Sequence, residues 1–99
     1  MGFMETVLIG QPVKVHVVFD STPCVKDNRG RTFPHHKVKP CSFLWQNREH
    51  EIREITYVWR EAIGDALVYH FAVTEGADVF ELCFNAGTME WTLASVARE

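Results

Sequence analysis

Imidazole and thiolate are ligands that zinc selects, and the chain gathers four such side chains between residues 24 and 41: Cys24, then His35 and His36, then Cys41. Their spacing is unlike that of a structural zinc site. Adjacent histidines on an extended chain point to opposite sides, and no C-x-x-C or H-x-x-x-H pair accompanies them. Solvated loop histidines beside two unrelated cysteines is the simpler reading, with a metal site through this loop as an alternative. Pairing Cys24 or Cys41 with a loop histidine for nucleophilic catalysis needs something to depress the thiol pKa, and nothing in the segment does so. Cys83, next to Leu82 and Phe84, reads as a small hydrophobe of a strand. Glu49, Glu51 and Glu54 lie beside Arg48 and Arg53, as on a solvated strand face. With no G-x-G-x-x-G, P-loop or G-x-S-x-G in the chain, the expectation is a protein without cofactor or catalytic centre.

A second chemistry is aromatic and cationic. Trp45, Arg48, Arg53, Tyr57, Trp59 and Arg60 fall within one stretch of chain. Stacking platforms for single-stranded nucleic acid on small β-barrels use these side chains, and protein interfaces use them as anchors. In a domain this small, large aromatics also belong to the core, with flanking arginines snorkelling along its edge.

The elements that must position these residues are strands. Val13, Val15, Val17 and Phe19 alternate with Lys14, His16, Val18 and Asp20, which predicts a first strand over 13–19, set off in front by Gln11-Pro12. Residues 20–40, rich in Pro, Gly, Asp and Asn, read as a long loop with room for a short strand piece around Lys37-Val38-Lys39. From 42 to 96 the rhythm is that of an antiparallel meander. Short loops over 75–78 and 85–88 force neighbouring strands to pair. Within 49–59, Ile52 has the opposite parity to Ile55, Tyr57 and Trp59, so the apolar face changes side near Arg53-Glu54, as at a β-bulge. A helix fits Ile52, Ile55 and Trp59 as well, but the β-branched and aromatic content favours strand. Residues 60–66 read as a connector, with a helical turn ended by Gly64.

Ninety-nine residues with 46% hydrophobic and 23% charged side chains are enough for one folded domain with its own core. The expected class is therefore mainly β: a single domain over 1–99, a meander of five to six antiparallel strands curled into a barrel-like or SH3-like half-barrel sheet. A net charge of −3 offers no general attraction for phosphate, although Arg29, Arg31, Lys37 and Lys39 make a local basic cluster. Three widely spaced cysteines and a first segment without a basic n-region point to a reducing, cytoplasmic setting, and no apolar run suits a membrane span.

The segment Phe43 to Arg60, with Phe43-Leu44-Trp45, Arg48, Ile52-Arg53-Glu54-Ile55 and Trp59-Arg60, resembles a bacterial family of small domains of unknown function carrying F-x-W-x-x-R, V-R-E-V and W-R motifs. Tyr69-His70-Phe71-Ala72-Val73, Val79-Phe80-Glu81-Leu82 and Trp91-Thr92-Leu93 match its later strands in order and spacing, over the last 60 residues or so. Such domains stand alone or follow proteins similar to Y-family translesion polymerases, which implies a setting in DNA-damage tolerance. The combined expectation is a non-enzymatic interaction module with a protein partner, as monomer or as homodimer through an edge strand. Direct binding of nucleic acid is the alternative.

Overall fold

The computed structural model describes residues 5–20 and 38–98, and every element among them is a strand. In chain order these are β1 (Glu5–Pro12), β2 (Lys14–Phe19), β3 (Val38–Trp45), β4 (Arg48–Glu51), β5 (Glu54–Ile63), β6 (Ala66–Thr74), β7 (Val79–Asn85) and β8 (Glu90–Arg98). No helix among the described residues is long and apolar enough to cross a membrane. All pairings are antiparallel, in a five-stranded sheet ordered β1-β8-β7-β6-β5 and a three-stranded sheet ordered β2-β3-β4.

Two corners join the sheets. At the first, the strand expected over 13–19 is the second half of a longer bent segment: β1 pairs with β8, and beyond Val13 the chain continues as β2 against β3. Val13 N–H donates to Trp91 O at 3.2 Å and carries the bonding through the bend. Pro12 closes β1 at this corner, a place where a missing N–H interrupts no ladder. At the second, Ile52 N–H donates to Cys41 O in the three-stranded sheet while Arg53 N–H donates to Thr74 O in the five-stranded one, both at 2.9 Å. The change of apolar face near Arg53-Glu54 is thus a change of sheet. Because pairing breaks at both corners, the described residues form two antiparallel sheets, of five and three strands, where a meander of five or six strands curled into one barrel-like sheet was expected.

Three further local readings meet the structure, the first extended and the other two corrected. Val38 to Pro40, where the sequence leaves room for a short strand piece, begin the longer strand β3, and residues 21–37 lie outside the described residues. Residues 60–63 continue β5, and Gly64-Asp65 is a two-residue hairpin turn between Ile63 and Ala66. Gly64 has φ 60, the positive value that the first central position of a type II′ turn requires. The bulge in this region lies at Thr56, between the pairs Ile55↔Val73 and Tyr57↔Ala72, and Thr56 Oγ1 donates to Ala72 O at 3.1 Å. One extra residue there sends Ile55 and Val58 to the core and turns Tyr57 and Trp59 to the opposite face.

The core lies between the sheets. Phe43 and Trp45 of β3 meet Phe71, Val73, Phe80, Leu82, Phe84, Leu93 and Val96, and Val73, Leu82, Leu93 and Val96 are wholly buried. Phe43 meets Phe80 edge-on, with ring centres 5.0 Å apart. Each such side chain contributes roughly 1.5–3 kcal/mol on burial, which ties the three-stranded sheet to the larger one.

Candidate functional site

Alternation decides what the face opposite the core displays. In the β6–β7 hairpin Thr74 pairs with Val79, which places His70 opposite Cys83 and Ala72 opposite Glu81. Thr74 fixes this register from its side chain: Oγ1 donates to Asp78 O at 2.8 Å and accepts from Gly76 N–H at 3.0 Å. The tight turn at Gly64-Asp65 sets β5 so that Trp59 pairs with His70 and Glu61 follows two residues on. Three adjacent strands therefore bring Trp59, Glu61, His70, Glu81 and Cys83 together on one face.

His70 is the hub. Its ring is stacked on Trp59, with centroids 4.9 Å apart and planes within 4°. Nε2 lies 2.7 Å from Glu61 Oε1, and Nδ1 lies 3.2 Å from Glu81 Oε2 and 3.1 Å from Cys83 Sγ. Cys83 Sγ is also 3.4 Å from Glu81 Oε2, to which the thiol donates. A carboxylate only accepts, so a neutral ring places its one proton on the shorter Glu61 contact and leaves Nδ1 a lone pair, whereas a protonated ring donates to both Glu61 and Glu81. With the ring neutral, Nδ1, Oε2 and Sγ converge with the single thiol hydrogen among them.

Burial, then the charge of Glu81 and its hydrogen bond, then the charge of Glu61, push the Cys83 thiol up to about 12 from its ordinary 9.0. A thiol in that state is a poor nucleophile at neutral pH.

The aromatic and arginine residues singled out from the sequence are divided between two regions. Trp45 is buried in the core, and its Nε1–H donates to Gln11 Oε1 at 3.2 Å. Arg48, on β4, is exposed and lies 3.5 Å from Glu75. Arg53 is exposed at the second corner, and Arg60 is exposed on β5. Tyr57 is 65% exposed and sits 5.4 Å, centre to centre, from the half-buried Trp59. Only Tyr57 and Trp59 form a pair, and they adjoin the His70 cluster. Cys41 is exposed, with Sγ 3.5 Å from Lys39 O, whereas Cys24, His35 and His36 lie outside the described residues.

A second histidine, His50, is buried against Phe43 in a parallel stack at 4.9 Å, and its Nδ1 lies 3.1 Å from Glu75 Oε2. It lines a cleft of about 200 Å³ with Arg48, Asp78 and Arg98. Arg98 faces Asp78 at 3.8 Å, and Arg48 shares Glu75, so the charges of this cleft are already matched.

The His70 cluster escaped the sequence reading because Cys83 was assigned by its apolar neighbours rather than by its parity. Cys83 shares its parity with Glu81, and the short loop over 75–78 already implies that His70 faces it across the hairpin. No family model, curated protein or solved structure matches the chain.

Proposed function

We propose that this domain is a non-enzymatic interaction module and that it takes an extended protein segment along β5. The observation that carries the reading is the exposed Tyr57, paired with Trp59, on a strand whose ladder among the described residues runs along one side only, to β6. A free strand edge offers main-chain hydrogen bonds, and large amphipathic rings beside it offer anchoring area at low entropic cost. Glu61 and Glu81 on the same face favour a segment bearing Lys or Arg next to the rings, where cation–π contact and ion pairing act together. The resemblance of the Phe43 to Arg60 segment directs the search for that partner to replication and repair proteins.

Nucleic acid is the second reading, supported by the same rings and by the exposed Arg53 and Arg60 in the same stretch of chain. The carboxylates on the face and the net charge of −3 weigh against it.

A photo-crosslinking amino acid at Tyr57, compared with one at Leu8 on the opposite edge strand, tests the proposal in the native host. Leu8 is 85% exposed and controls for nonspecific capture. A defined protein adduct from position 57 that is absent from position 8 is expected. Identical adduct patterns from both positions would refute the proposal. A change in tryptophan emission on adding single-stranded oligonucleotide at low salt, lost at high salt, would move the assignment to nucleic acid.

A further inference from the structure

We infer that His70 Nδ1, Glu81 and Cys83 are three ligands of a zinc site on the face of β6 and β7, with Glu61 as the outer carboxylate that holds the His70 ring. The inference rests on the donor triangle; it shares Glu61 and Glu81 with the face proposed to meet a partner along β5 but does not depend on that partner.

The first argument is metric. With Zn–S of about 2.3 Å and Zn–N and Zn–O of about 2.0–2.1 Å, a tetrahedral ion sets sulfur and nitrogen about 3.5 Å apart, nitrogen and oxygen about 3.3 Å, and sulfur and oxygen about 3.5 Å. The corresponding separations are 3.1, 3.2 and 3.4 Å. The three donors already stand close to the edges of one tetrahedral face, so binding needs movements of a few tenths of an ångström. All three belong to a single hairpin whose register Thr74 secures, so the backbone itself brings the three side chains to one place.

The second argument is chemical. One thiolate, one imidazole and one carboxylate is a borderline set suited to zinc, whereas magnesium and calcium call for oxygen alone. Zinc ligation by histidine is commonly backed by a carboxylate on the other ring nitrogen, which fixes tautomer and orientation. Glu61, 2.7 Å from Nε2, stands in that position, and it leaves Nδ1 as the free donor. Trp59 stacked on the ring blocks its rotation. With the ring neutral, an Nδ1 lone pair beside the Glu81 carboxylate is repulsive, and a metal cation at this point, like a proton on Nδ1, makes the contact attractive. On binding, the thiol gives its proton to solvent, and the fourth position is left for water or a partner's side chain.

The test uses the full chain carrying Cys24→Ser and Cys41→Ser, so that Cys83 is the sole thiol. Native mass spectrometry with zinc as the probe should show one ion per chain, and Cys83→Ser in that background should lose it. Glu61→Gln should weaken binding roughly 10- to 100-fold through the outer shell alone. Cobalt(II) added to the single-thiol chain should give a thiolate-to-metal charge-transfer band, a readout that needs no further variant to fold. Retention of zinc by Cys83→Ser at unchanged affinity, or a cobalt spectrum with no thiolate band, would overturn the assignment.

Discussion

Alkylation of Cys83 in the metal-free protein turns the geometry around His70 into a rate. Burial and the neighbouring carboxylates push this thiol up to about 12 in the folded chain from its ordinary 9.0. Three pH units cut the thiolate fraction at pH 8 by about a thousandfold. A more basic thiolate is intrinsically the better nucleophile, and a Brønsted slope of about 0.4–0.5 returns a factor of about 15–30. The folded protein should therefore react with iodoacetamide at Cys83 roughly 30- to 70-fold more slowly than the same chain in denaturant. Peptide mass spectrometry after timed quenching resolves the site, and the exposed Cys41 serves as the internal control for reagent activity. Burial is the largest cause of the shift and Glu81 the next. Glu81→Gln should thus raise the native rate severalfold without restoring that of the unfolded chain. Labelling of native Cys83 within a factor of three of the denatured rate would refute the environment described for this thiol.

The same shift has a sign in stability. The native state keeps the Cys83 proton where the unfolded chain releases it, so its contribution is complete below about pH 9 and is lost as the pH rises towards about 12. Allowing for solvent screening of a half-exposed group, the loss is ~1–2 kcal/mol, read as the difference between wild type and Cys83→Ser in alkaline urea titrations. Gln46 and Asn47 form the β3–β4 turn with φ of 54 and 60, the type I′ pattern that favours Asn-Gly. Gln46→Asn with Asn47→Gly should raise stability by about 1 kcal/mol, or about 4–8 °C in Tm, by calorimetry. Leu82 is wholly buried between the sheets, and Leu82→Ala should cost roughly 2–5 kcal/mol, lowering the urea midpoint with little change in slope.

Much of the architecture is legible in the chain because both faces of the central hairpins carry different chemistry. Leu67 to Val73 and Phe80 to Phe84 alternate, and they form β6 and β7 with Phe71, Val73, Phe80 and Leu82 inward. The first strand is another matter. Glu5 to Pro12 is almost entirely exposed and shows no alternation, so its pairing with β8, at the other end of the chain, leaves little trace in local sequence. Gly10, at φ 67 in the bulge between Leu8 and Gln11, breaks the period further. At β5 the parity change was visible, but its two causes were not separable: a sheet change at Ile52-Arg53 and a bulge at Thr56. The second of these decides the function proposed here, since it turns Tyr57 and Trp59 away from the core. Trp45 went the other way for the same kind of reason, its parity on β3 aligning it with the buried Phe43. The His70 cluster depends on two registers at once: the short loop over 75–78 implies that of β6 on β7, whereas that of β5 on β6 rests on the Gly64-Asp65 turn, which lies inside a segment that reads as a connector.

Zinc K-edge X-ray absorption on the chain with Cys24→Ser and Cys41→Ser tests the reading of this face most directly, because it reports the ligands of the ion itself. One sulfur at about 2.3 Å with nitrogen and oxygen at about 2.0–2.1 Å is the predicted shell. A shell of nitrogen and oxygen alone would contradict it.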